Sequence, residues 1–189
     1  MAKTLWDNKW SKLKGEDRSY SNLDMVTRAI LKFMLRFIKG DANNILETGC
    51  GTGRICFALA SMFPSSKVTG TDISDGSMDL CNKSKAKKNL TNVEFKKMDI
   101  YHLGFPDGYF DVNLSEGVLQ HIPNDTEGLK EMVRVTKKGG MVFASVANIG
   151  CIPHTVYKFI KGKRYEHYPE RSYSHKNLKK LFESAGLAD

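Results

Sequence analysis

The stretch Ile45-Leu46-Glu47-Thr48-Gly49-Cys50-Gly51-Thr52-Gly53-Arg54 constrains this chain more than any other. An apolar pair ends in an acid, three glycines alternate with small residues, and residues 55–63 then take up a helical apolar rhythm. The pattern predicts strand, tight turn and helix. Glycine at Gly49, Gly51 and Gly53 permits positive φ and removes the Cβ atoms that would hold a ligand off the backbone. The helix that follows offers unpaired N–H groups. Such a turn cradles a nucleotide-like ligand.

The acid selects among those ligands. A carboxylate just ahead of the first glycine repels a pyrophosphate at close range, so Glu47 suits a ligand with a cationic amino-acid head better than a dinucleotide. Asp72 lies about twenty residues further on, at the carboxyl end of the second predicted strand, where a carboxylate accepts both ribose hydroxyls of a nucleoside. Ile73 is then expected against the base. Both nicotinamide and methyl-donor enzymes share the Asp72 position, so it supports nucleoside binding without choosing. Asp99-Ile100 closes the third strand in the same way, with a turn or N-capping role for Asp99 as the simpler alternative.

The rest of the chain reads as a frame for these residues. At 189 residues and 41% hydrophobic content it suits one domain. Residues 1–21 are polar with Trp6, Trp10 and Tyr20 interspersed; they are too aromatic for a tail and too irregular for a helix, and are expected to cover the ligand. Residues 22–40 predict a leading helix with Asn22 as N-cap and Gly40 as stop. Within the core, residues 43–147, strands are predicted at 43–47, 67–72, 93–98, 109–114 and 141–146. Helices are predicted at 53–62, 76–88 and 126–136, with a turn at 137–140. A last helix is expected at 174–185, after a stretch on the acceptor side. Strands alternating with helices predict a doubly wound parallel α/β sheet with helices on both faces.

Composition excludes some classes. No run approaches the ~18 apolar residues of a membrane span and residues 1–23 lack the apolar core of a secretion signal, so a cytoplasmic protein with no membrane contact is expected. Cys50, Cys56, Cys81 and Cys151 form no Cys-x-x-Cys pair and are expected reduced. His102, His121, His154, His167 and His175 show no paired ligand spacing, so no metal is expected. The formal charge is +8, with clusters at residues 83–88 and 158–180. The first reads as a solvated helix end; the second is more suggestive of a polyanion face.

The opening stretch resembles motif I of the class I S-adenosylmethionine-dependent methyltransferases, in which an acid begins a Glu/Asp-x-Gly-x-Gly-x-Gly turn. The likeness continues through Phe105-Pro106-Asp107-Gly108-Tyr109-Phe110-Asp111-Val112, then Leu114-Ser115-Glu116-Gly117-Val118-Leu119-Gln120-His121-Ile122-Pro123, then Val133-Arg134-Val135-Thr136-Lys137-Lys138-Gly139-Gly140. Lys138 stands where the family often has proline, which costs only rigidity. The resemblance implies strand order 3-2-1-4-5 and S-adenosylmethionine as cofactor, with S-adenosylhomocysteine as product. It implies cofactor contacts at Glu47, Gly49, Cys50, Gly51, Gly53, Asp72, Ile73, Asp99, Ile100 and Ser115. A sulfonium methyl needs no universal base; for an oxygen or carbon acceptor the candidates are His121, Glu116 and Tyr20. The acceptor is expected to be a small molecule, with RNA as the other reading, because Tyr157, Phe159, Tyr165, Tyr168 and Tyr173 mix with Lys158, Lys161, Lys163, Arg164 and Arg171. A non-catalytic cofactor-binding module keeps every one of these features, and a nucleotide-dependent oxidoreductase keeps some of them. The family fold ends in a further antiparallel hairpin; here the fifth strand is expected at a sheet edge, covered by residues 148–173, by a partner or by a homodimer contact.

Overall fold

Five short segments rich in apolar and β-branched residues pair side by side in a computed structural model that describes residues 2–11, 25–38, 40, 42–152, 156, 159–160 and 170–187. They are β1 (Asn44–Thr48), β2 (Lys67–Asp72), β3 (Val93–Lys97), β4 (Phe110–Glu116) and β5 (Thr136–Ser145). All pairings are parallel, in the order β3-β2-β1-β4-β5. Helices α1 (Ala2–Ser11), α2 (Met25–Met34), α3 (Arg54–Met62), α4 (Asp75–Lys88), α5 (Asp125–Val135) and α6 (His175–Ser184) accompany the sheet.

Alternation along β1 shows why both faces are covered. Ile45 packs with Leu31 and Met34 of α2 and Ile55 and Leu59 of α3, whereas Leu46 packs with Leu103, Phe110 and Val135 on the other side. A sheet buried on both faces must be apolar on both, which explains the near-continuous buried run of β1 and β4. Helix starts follow their caps: Ser74, Asn124 and Ser174 each accept a backbone N–H from three residues on. The carboxyl ends of β1, β2 and β4 therefore end side by side, with the α3 and α4 N-termini above them.

Four boundaries differ from the sequence expectation. Residues 2–11 are helical, because Trp6, Asp7 and Trp10 find partners elsewhere in the fold that compensate for weak helical periodicity. The leading helix ends at Met34 and continues as turns to Ile38. Strand β4 runs on to Glu116, and β5 starts at Thr136 because the expected turn at 137–140 is a bulge inside that strand. Phe110 faces Thr136 and Val112 faces Met141, and Gly139 takes φ 75°. Opposite the bulge, Asp111 receives the backbone N–H groups of Asn43 and Asn44 at 2.9 and 2.8 Å and an ion pair from Lys137. Asn22, Tyr20, His154, Tyr157, Lys158, Lys161, Lys163, Arg164, Tyr165, His167 and Tyr168 lie outside the described residues.

Candidate active site

A single buried glycine turn forms the floor of a cavity of about 390 Å³ at the carboxyl edge of the sheet, a size within the usual ligand-site range of roughly 300–1,000 Å³. Gly49, Gly51 and Gly53 take φ of 78°, 53° and 71°. A Cβ on Gly49 would stand 2.3 Å from a Val118 methyl, and one on Gly51 would stand 2.9 Å from the Trp10 ring. The turn is thus compressed from above, and the space over its backbone exists only because those side chains are absent. Gly53 does not reach the cavity; its missing Cβ leaves room for Cys81 and Phe95 behind the turn.

Glu47 has its position explained by the same turn. Helix α3 starts at Gly53, which has no side chain to cap it, and the Glu47 carboxylate instead accepts the Cys56 backbone N–H at 2.9 Å and its thiol at 2.8 Å. The group borders the cavity yet is 3% exposed, and burial pushes its pKa up to about 8. Burial thus favours its neutral form, and the group serves the helix end first. Cys50 sits in the turn among buried thiols, with Cys56 and Cys81 close by.

Asp72 closes β2. Its two oxygens accept the Gly51 N–H at 2.9 Å and the Ser74 N–H at 3.0 Å. A carboxylate oxygen has two lone pairs, so each keeps one for a ligand hydroxyl. Burial pushes the Asp72 pKa up to about 6. Ile73, Asp99 and Ile100 line the neighbouring wall, where Asp99 accepts the Tyr101 N–H at 3.1 Å. Ser115 is placed elsewhere: its hydroxyl is buried and donates to the Thr48 carbonyl at 3.0 Å. Among the three acid-base candidates, Glu116 and His121 line the cavity and Tyr20 lies outside the described residues.

Several cavity residues were not singled out in the sequence. Lys9 lines the roof beside Trp6 and Trp10, on a helix the sequence pattern did not reveal. Arg54 donates to Thr27 at 3.1 Å and pairs with Glu116, tying α2, α3 and the end of β4 together. A cation at the positive end of a helix is unfavourable unless an acid faces it, which is the one signal that would have pointed to Arg54. Helix α1 is docked by Asp7, which accepts the Ser74 hydroxyl at 2.6 Å and the Gly76 N–H at 3.3 Å.

The cavity fits a nucleoside with an aminoacyl tail. A paired-lobe carboxylate suits ribose, Ile73, Met98 and Ile100 suit a flat base, and the glycine backbone admits close approach of the tail. In the part of the cavity beside the turn, Asp72 and Asp99 are the carboxylates on the wall while Arg54 is paired with Glu116, which opposes a pyrophosphate there. Among the described residues no group of three His, Cys, Asp or Glu is placed to hold a metal ion.

Comparison with known proteins gives a consistent result. The sequence profile of a family described as "Methyltransferase domain" matches residues 39–186. An uncharacterised methyltransferase of Schizosaccharomyces pombe is 32% identical over 141 residues, covering 71% of this chain and 48% of that protein. A ubiquinone biosynthesis O-methyltransferase of Coxiella burnetii is 29% identical over 126 residues, covering 67% of this chain and 53% of the other. The chain thus spans about half the length of the curated relatives it matches. Among solved structures, the YcgJ protein of Bacillus subtilis superposes with a TM-score of 0.71 at 21% identity, over 85% of this chain and 69% of that one, a likeness of fold.

Proposed function

Because the chain belongs to the class I S-adenosylmethionine-dependent methyltransferases, we propose that it binds S-adenosylmethionine over the glycine turn and methylates a small molecule held on the Glu116–Pro123 side of the cavity. The observation that carries the reading is Asp72, buried at the end of β2 and locked to Gly51 with one lone pair on each oxygen left for the ribose. When bound, the cofactor supplies an activated sulfonium methyl. The chain's own residues orient and exclude water: Asp72 holds the ribose, Asp99 and Ile100 hold the base, and the Gly49–Gly51 backbone positions the tail. His121 and Glu116 are the groups able to take a proton from an acceptor, and Arg54 holds Glu116 in place.

A small-molecule acceptor is supported by the enclosed cavity and by the name of the Coxiella relative, which places its own reaction in ubiquinone biosynthesis. RNA is less well supported, since Arg171, a described cation of the basic stretch, is engaged with the Ile122 carbonyl and Asp125. No described helix is long and apolar enough to cross a membrane. The edge of β5 that pairs with no other described strand is read as a self-association surface.

Calorimetry with S-adenosylmethionine, S-adenosylhomocysteine and NAD tests the cofactor. Binding of the first two without the third is expected; tight NAD binding would replace the reading with an oxidoreductase. Methyl transfer to a panel of hydroxylated, amine and thiol acceptors separates the enzyme from a non-catalytic module, which would bind cofactor and transfer nothing.

A further inference from the structure

Both tryptophans of the chain, Trp6 and Trp10, lie on α1 and both line the cavity. They stack on one another, and each meets a different part of it. Trp10 lies over Gly51, at the roof of the cofactor half. Trp6 reaches past it to His121, with ring centroids 5.1 Å apart and planes at 69°, while its own stack on Trp10 is 6.0 Å at 18°. Val118, whose methyl closes on Gly49, divides the two halves.

The His121 side of this corner is held rigidly. Leu119–His121 is a single 3-10 turn whose Gln120 carbonyl accepts the Arg171 N–H at 2.9 Å, while its Gln120 side chain accepts the Ala147 N–H at 3.0 Å. Tyr173 donates its hydroxyl to Asp125 at 2.7 Å beneath the turn. One wall is therefore preorganised and the other is carried by a helix docked chiefly through Asp7. Trp6 and His121 touch edge to face and so form one aromatic corner of the cavity, with Val118 and Ile122 completing the lining, and a flat ring can lie against that corner.

Charge narrows the class. The Lys9 ammonium stands 4.5 Å from the Trp6 ring centroid and 4.6 Å from that of Trp10, so the chain's own cation already sits on both indoles. Glu116 is paired with Arg54, so the cation held on these rings is Lys9: a second cation placed on them would be repelled, whereas a phenol or its anion would be favoured.

We propose that Trp6 and His121 form the acceptor subsite and that it takes a planar aromatic molecule that is neutral or anionic, not an amine. The proposal rests on the cofactor reading above and names the acceptor class for that same cavity. Trp6 is thereby a specificity-determining residue and Trp10 belongs to the cofactor half.

The two tryptophans are also the reporters. The full chain saturated with S-adenosylhomocysteine is titrated with catechol, with trans-1,2-cyclohexanediol as the saturated control and benzylamine as the cationic control, following indole fluorescence. Catechol is expected to quench the wild type and Trp10→Phe, where only Trp6 emits, and to leave Trp6→Phe nearly unchanged, with neither control acting. Trp6→Ala is expected to raise the catechol half-saturation about tenfold while the calorimetric affinity for S-adenosylhomocysteine stays within about twofold. Normal S-adenosylhomocysteine binding with no catechol quenching of Trp10→Phe overturns the subsite, and equal quenching by benzylamine or the diol overturns the acceptor class. Failure of S-adenosylhomocysteine to bind any of the four proteins overturns the cofactor reading and the subsite with it.

Discussion

Asp72 and Glu47 are both buried acids at the ends of strands, yet they are used differently. Burial raises Asp72 from 3.8 to about 6 and Glu47 from 4.5 to about 8. Ribose hydroxyls donate to the ionised form of Asp72, so S-adenosylhomocysteine affinity is expected to rise with pH through about 6 and level off above it. Calorimetry between about pH 5 and about pH 8 measures this. Asp72→Asn is expected to remove the pH dependence and to cost about 1.5–3 kcal/mol of binding; unchanged affinity in a folded variant would sink the ribose assignment. Glu47 bears on stability instead. Its folded pKa lies above its unfolded one, so between 4.5 and about 8 the folded state binds the extra proton, and stability is highest at the acid end and falls as pH rises through that window. Asp72 acts in the same direction over the lower part of it. Glu47→Gln keeps an acceptor for Cys56 and is expected to flatten the fall of the thermal midpoint between about pH 6 and about pH 8. A wild-type midpoint that does not fall there would show that Glu47 is not held neutral.

At the scale of elements, α1 is the least self-sufficient. It carries two tryptophans, an aspartate and lysines without a regular apolar stripe, and a helix of this length is marginal in water unless packing supports it. Its docking runs through Asp7 on the N-terminal turn of α4, where the Ser74 hydroxyl hydrogen bond lowers the carboxyl pKa below its ordinary value. Docking through this group is lost as pH falls through that lowered value. Asp7→Asn is expected to speed tryptic cleavage after Lys9, and S-adenosylhomocysteine is expected to slow cleavage in the wild type by filling the space under Trp10. Equal cleavage rates in both proteins, with and without ligand, would mean that α1 is not a cover for the cofactor.

At the scale of the whole molecule, the exposed large apolar side chains among the described residues fall in two stretches, residues 25–37 on and after α2 and residues 149–160 after β5. Phe33 of α2 and Phe37 in the turns after it are 50% and 54% exposed, their ring centroids 5.2 Å apart and their planes tilted by 59°, and Phe33 lies 6.1 Å from Phe143 on β5. Strand β5 pairs only with β4 among the described strands, leaving a row of backbone groups beside those rings. Such an edge with an aromatic patch beside it invites a second copy. Sedimentation at micromolar concentration is expected to find a dimer for this chain and a monomer for Phe33→Glu/Phe37→Glu. A wild-type monomer across that range would remove the contact.

Local chemistry was sufficient for much of this protein. Alternating strand and helix patterns set the parallel sheet, because a parallel strand pair needs a crossover helix and each face then needs apolar cover, while the strand order was implied by the family resemblance. The glycine turn, Asp72, Ile73, Asp99 and Ile100 were legible because their spacing from strand ends places them at one edge of such a sheet. What the tertiary structure decided was which atoms those residues spend on each other. Glu47 caps α3, since Gly53 has no side chain for it; Ser115 holds the Thr48 carbonyl; and Gly53 makes room for Cys81 and Phe95. The same holds for Trp6, Lys9, Trp10 and Arg54, whose positions in the cavity depend on how α1 and α3 cross other elements. Contacts between distant segments have no period along the chain, so no local pattern could have placed the indole of Trp6 against His121.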